Sequence, residues 1–140
     1  MTDSLKKLYN ELILRRQKDP TGFEKRDDAQ VIIKAYNPVC GDKFNLYLDL
    51  EGDSVVRASY HGYGCALSKA STSLLIQTLP GTRIPDLIVK IDDYYKMLRE
   101  DLQHSDQLIK ALAMARNFPG RDQCARLSWD ALGNYLKTNY

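Results

Sequence analysis

Residues 44–50, FNLYLDL, alternate without interruption. Phe44, Leu46, Leu48 and Leu50 fall on one side of an extended chain, with Asn45, Tyr47 and Asp49 on the other. A period of two is the mark of a half-buried strand and is foreign to a helix. Glu51-Gly52-Asp53 reads as a turn, and SVVRASYHG (54–62) as the strand returning from it. An antiparallel hairpin with one apolar face needs another layer to cover that face, which restricts the remainder of the chain to supplying it.

Helical periodicity on either side of the hairpin provides that layer. Residues 4–17 carry Leu5, Leu8, Tyr9, Leu12 and Ile13 at helical spacing, and Pro20 and Gly22 end the run. A polar stretch, EKRDDAQ (24–30), leads into the apolar run VIIKAYN, which finishes at a turn containing Cys40. After the glycine-flanked bend YGC, the segment ALSKASTSLLIQTL reads as a helix closed by Pro80-Gly81. Residues 85–99 form another, with Pro85 in the first turn and Leu87, Ile88, Ile91, Tyr94, Tyr95 and Leu98 along a broad face. A shorter helix spans 106–117 before Pro119-Gly120, and a last one runs from about Arg121 to Lys137. Its inner stripe is Cys124, Leu127, Ser128, Ala131, Leu132, Tyr135 and Leu136. With no repeat, low-complexity segment or composition break, the expectation is one α+β domain over residues 1–140, a small antiparallel sheet first and helices after it.

Charge points to no particular partner: 20 Lys+Arg face 18 Asp+Glu, and the densest basic pairs, Lys6-Lys7 and Arg15-Arg16, make no nucleic-acid stripe. MTDSLKKLYNELILRR lacks the apolar centre of a signal peptide, and no segment approaches the roughly 18 apolar residues of a membrane span. The expected location is therefore cytoplasmic, without a nucleic-acid or membrane partner. Three cysteines in such a chain argue against a disulfide framework and for metal binding or thiol chemistry.

Cys40 lies in a turn before a strand, while Cys65 and Cys124 each open a helix, where unpaired N–H groups favour a thiolate. Each has a blander reading. Cys124 sits on an apolar stripe and reads equally well as a buried hydrophobe; Cys65, between Gly64 and Ala66, reads as a small residue at a tight bend. Cys40 beside Asp42 is the least core-like, and Asp42 alone would be a solvated turn or capping residue. His61 reads as a surface strand residue with a minor ligand role open, and His104 as a loop or helix-start residue. Were the three thiolates and Asp42 to converge, the Cys₃Asp set would suit tetrahedral Zn2+, and thiolates also hold Fe–S clusters. Residue types alone do not choose between them. No Ser-His-Asp set, phosphate-cradling glycine loop or HExxH motif supports a hydrolase or nucleotide enzyme.

Three segments together, YNPVCGD (36–42), GYGCALSKAS (62–71) and RDQCARLSW (121–129), resemble the U-type iron–sulfur assembly family over most of the chain. Its scaffold branch has a histidine before the third cysteine and an LPPVK stretch; here Gln123 precedes Cys124 and NFPG stands in the preceding segment. With the long connection between the second and third cysteines and the sequence CARLSW, the chain resembles the SufU-type branch of Gram-positive bacteria, His61 being a departure. The resemblance implies that Cys40, Asp42, Cys65 and Cys124 bind one Zn2+ and that Cys40 accepts persulfide sulfur. The implied partner is a SufS-type cysteine desulfurase, with an iron–sulfur scaffold complex downstream. Two alternatives stand beside this zinc-dependent sulfurtransferase: a scaffold carrying a transient [2Fe–2S] cluster on the same thiols, and a module whose zinc is only structural.

Overall fold

The computed structural model describes residues 11, 13–16, 18, 21–39, 41–99, 112–113 and 121–140. Three strands, β1 (Val31–Asn37), β2 (Asp42–Glu51) and β3 (Ser54–Tyr63), form an antiparallel sheet in the order β1-β2-β3. The hairpin is as expected, with both strands slightly longer. The VIIKAYN run is a third strand, whose period is hidden by Val31, Ile32 and Ile33 in succession; only Ile33, Ala35 and Asn37 are buried. Register brings Ile33, Leu46 and Tyr60 side by side, then Ala35, Phe44 and Gly62, so the inner face is continuous across the sheet.

One residue of the alternating strand departs from its assigned environment. Tyr47, expected on the polar face, is 1% exposed. It occupies the central strand with Ile32 and Ser59 as cross-strand neighbours, and a central position is shielded from both sides.

Among the described residues are the helices α1 (Ala66–Thr78), α2 (Ile84–Arg99) and α3 (Asp122–Asn139), of which α1 and α3 pack on the sheet. α1 packs on α3 and β3, α3 lies against β1, and α2 rests on α3. Phe44, Leu46, Leu48 and Tyr60 from the sheet share the core with Leu75, Ile76, Leu87, Leu132 and Leu136. The buried face of α3 differs from the expected stripe: Ala125 and Trp129 are buried, whereas Leu127, Ala131 and Tyr135 are half-buried. The helix is wedged between α1 and α2 and must bury two flanks, and the Trp129 ring stacks on Tyr94 of α2 with centroids 3.7 Å apart.

Of the helix expected over 4–17, residues 11 and 13–16 are described and helical; of that over 106–117, Leu112 and Ala113 are. The other residues of both segments lie outside the described ones. Ahead of the sheet, Arg26 places Nη1 2.6 Å from Asp49 Oδ2 while the Gln30 N–H donates to Oδ1, tying the 24–30 segment to β2. No described helix is long and apolar enough to cross a membrane.

Candidate metal centre

The site begins where β1 hands over to β2. Asn37, buried at the end of β1, accepts the Val39 N–H on its side-chain oxygen at 3.0 Å and the Gly41 N–H on its carbonyl at 2.7 Å. Gly41 has φ +76°, a left-handed conformation that glycine takes without steric penalty. The tight reversal delivers Asp42 as the first residue of β2, facing inward and 3% exposed rather than solvated. Cys40 belongs to this connection by sequence but lies outside the described residues.

The second ligand segment starts at the end of β3. Gly64 is squeezed between strand and helix: a Cβ there would sit 2.6 Å from Ser68 Oγ and 2.9 Å from Asp42 Oδ1. Cys65 follows as the N-cap of α1 in extended conformation, its sulfur accepting the Ser68 N–H at 3.4 Å. Its own N–H donates to Asp42 Oδ1 at 2.9 Å. Cys124 lies in the first turn of α3 and is 1% exposed. Both cysteines thus occupy the helix starts expected of them.

Three donors from three elements meet here. The Cys65 and Cys124 sulfurs lie 3.9 and 3.7 Å from Asp42 Oδ2, and the three ligand atoms are all within 4.8 Å of one another. Zn–S bonds of about 2.3 Å and a Zn–O bond near 2.1 Å, set at the tetrahedral angle, would put sulfur and oxygen about 3.6 Å apart. The observed spacings are close to those edges. Oδ1 is occupied by the Cys65 N–H, so Asp42 has one oxygen turned towards both sulfurs. Two soft sulfurs and one hard oxygen in a shielded pocket suit zinc.

Electrostatics favour anionic sulfur. The Cys65 thiol is lowered to about 5, chiefly by the hydrogen bond from Cys124 and further by the Ser68 hydroxyl and N–H, against burial and the Asp42 charge. Arg121, at the N-cap of α3, is held above its ordinary value by its hydrogen bond with Cys124 and by the charge of Cys65. A cation therefore stands beside the pair of sulfurs. His61 is exposed on β3 with its ring against Phe23, 4.8 Å between centroids, and is not one of the clustered donors. His104 lies outside the described residues.

Ser68 and Arg121 add to the site beyond the expected donors, and both lie in the cysteine motifs. Position three after a helix-capping residue is where an N–H and a side chain can return to the cap, and that signal was present for Ser68.

The NifU-like N-terminal domain family matches residues 8–133. The chain belongs to this U-type family. Its relatives include the iron–sulfur cluster assembly scaffold protein IscU of Thermotoga maritima, 34% identical over 94% of each chain. The zinc-dependent sulfurtransferase SufU of Bacillus subtilis is 32% identical, covering 92% of this U-type chain and 89% of its own. In three dimensions the domain is similar to the SufU scaffold protein for the SUF system of Fervidobacterium islandicum, with a TM-score of 0.81 and 27% identity over 93% of this chain and 97% of that one. The likeness to SufU therefore holds in both sequence and fold.

Proposed function

We propose that this U-type domain is a SufU-like, zinc-dependent sulfur acceptor serving iron–sulfur cluster assembly. The observation that carries the reading is the approach of two thiol sulfurs to one carboxylate oxygen at 3.7 and 3.9 Å in a shielded pocket. Asp42, Cys65 and Cys124 would hold Zn2+, with Cys40, two residues before Asp42, as the fourth ligand. Zinc, when bound, holds thiolates without oxidising them, because it has no redox change of its own.

Cys40 is the proposed acceptor. Its neighbours Val39 and Gly41 are exposed, so the connection between β1 and β2 is open to a partner. In the transfer, the Cys40 thiolate attacks the outer sulfur of a persulfide carried by a cysteine desulfurase. The new S–S bond forms on Cys40, the donor S–S bond breaks, and the donor cysteine leaves as a thiolate. No net oxidation occurs. Cys65 and Cys124, anchored at helix starts, remain in place.

The test is metal content together with desulfurase stimulation, for the wild type and for Cys40→Ala. The wild type should carry one zinc per chain, stimulate the enzyme and, with desulfurase and cysteine, gain about 32 Da on the Cys40 peptide by sulfur exchange. Cys40→Ala should abolish stimulation while the fold survives on three protein ligands and water. Sulfur mass on Cys124 instead would overturn the choice of acceptor. The second reading, a [2Fe–2S] scaffold, draws on the similarity to the Thermotoga maritima IscU. It predicts brown, iron- and sulfide-bearing protein after anaerobic purification. Gln123 in place of histidine before Cys124 weighs against it.

A further inference from the structure

Behind the cysteines, Ser71, Ser128 and Trp129 of the two helix motifs meet Thr72 and Tyr94 in the core. Ser71 of α1 donates to the Ala125 carbonyl of α3 at 2.6 Å and accepts the Trp129 indole N–H at 3.1 Å. Tyr94 of α2 donates to the same carbonyl at 2.7 Å. Thr72 and Ser128 pair at 2.7 Å, and the Thr72 hydroxyl reaches back to the Ser68 carbonyl, also at 2.7 Å. All of these side chains are buried. Ala125 directly follows Cys124, and Ser68 donates its N–H to the Cys65 sulfur, so each end of this polar seam reaches a residue bonded to or hydrogen-bonded with a cysteine.

We propose that Ser71, Tyr94 and Trp129 are positioning residues that index α3 against α1, so that the Cys124 and Cys65 sulfurs come together at Asp42 Oδ2. Apolar packing alone would leave two helices free to slide or rotate by fractions of a turn, since dispersion contacts are non-directional. Two hydroxyls converging on one carbonyl are directional, and a buried donor left without its acceptor carries a penalty of its own. The network is compact: the Trp129 N–H is shared between the Ser71 hydroxyl and, at 3.3 Å, the Ser71 carbonyl, while the Ser71 and Tyr94 hydroxyls, 3.1 Å apart, both lie within donating distance of the Ala125 carbonyl. Burial holds the Tyr94 phenol above its ordinary value, so it keeps its proton and remains a donor. The stacked Trp129 ring fixes the orientation of Tyr94 from the side.

This inference rests on the metal-site reading above, and the experiment separates the two. Tyr94→Phe and Ser71→Ala each remove a single oxygen from the full chain; Ile76→Val, farther along α1, serves as a control that weakens the core without touching the seam. Cobalt(II), as a stand-in for zinc, is titrated into metal-free protein and followed by its ligand-field and sulfur charge-transfer bands. A short bis-alkylating thiol reagent with peptide mapping then reports how readily Cys65 and Cys124 are bridged when no metal is present. Tyr94→Phe and Ser71→Ala should bind cobalt about tenfold more weakly, the scale seen when groups supporting a ligand are lost. They should also show shifted bands and a several-fold lower yield of the Cys65–Cys124 bridge, while Ile76→Val matches the wild type in all three. Seam variants that behave as Ile76→Val does would overturn the proposal. If the wild type takes up no cobalt, the zinc reading fails, and the bridging yields alone decide the seam: equal yields sink it, lowered yields sustain it.

Discussion

At the scale of single residues, Gly64 has little latitude beside the clustered donors. A methyl group there would be driven against Ser68 Oγ and Asp42 Oδ1, the groups that organise Cys65. Gly64→Ala should therefore destabilise the fold by about 1–3 kcal/mol, the usual range for overpacking. It should also reduce zinc stoichiometry; thermal melting with metal analysis reads both, and an alanine variant with full zinc and an unchanged melting temperature would contradict the cradle. The two described cysteines give a paired expectation. Cys65→Ala removes the sulfur that accepts the Ser68 N–H, and Cys124→Ala empties a position already in the core. Each should release metal and lower stability. Variants that retained both would return these cysteines to the simple role of small buried hydrophobes.

At the scale of elements, the wedge of α3 between α1 and α2 depends on Trp129. Trp129→Ala loses the stack on Tyr94 and the N–H to Ser71 and should cost about 3–5 kcal/mol, as large-to-small changes in a core do; a denaturant midpoint measures it. That expectation could not have been drawn from the sequence. Spacing from Cys124 picks out Leu127, Ala131 and Tyr135, because periodicity finds one apolar stripe and α3 buries two flanks. Tyr47 departs from the alternation for a related reason, since alternation describes a strand facing one layer and not the shielding a central strand receives from its neighbours. The hairpin, the three described helices and their ends were legible, because glycine, proline and period-two signals act locally. Asp42, Cys65 and Cys124, the donors that the structure gathers, were legible too, but only as motifs. That Asp42 turns inward to meet Cys65 and Cys124 depends on the packing of β2, α1 and α3, which no local pattern encodes. The 24–30 segment carries a separate expectation. Asp49 is held below the usual carboxylate range, first by the Gln30 N–H and then by Arg26. A carboxyl lowered in the folded state adds stability above its unfolded value and loses it as pH falls through the folded one. Asp49→Asn should thus lower the melting temperature at neutral pH and flatten its decline towards acid, as read by melts across a pH series.

At the scale of the molecule, the clustered donors come from the start of a strand and the starts of two helices, so bound metal would join the sheet to both helices at one point. Chelation should lower the melting temperature of the whole chain in one cooperative transition, because a site assembled only in the folded state couples its binding energy to folding. Calorimetry with and without a chelator checks this; a melting temperature indifferent to chelation would mean the centre is not coupled to the fold. The order of the donors along the chain also bears on biogenesis. During synthesis Asp42 and Cys65 leave the ribosome well before Cys124, and the seam that seats Cys124 needs Trp129 as well. A nascent chain therefore has no complete donor cluster until α3 has emerged, so that metal, if bound, would enter late in synthesis.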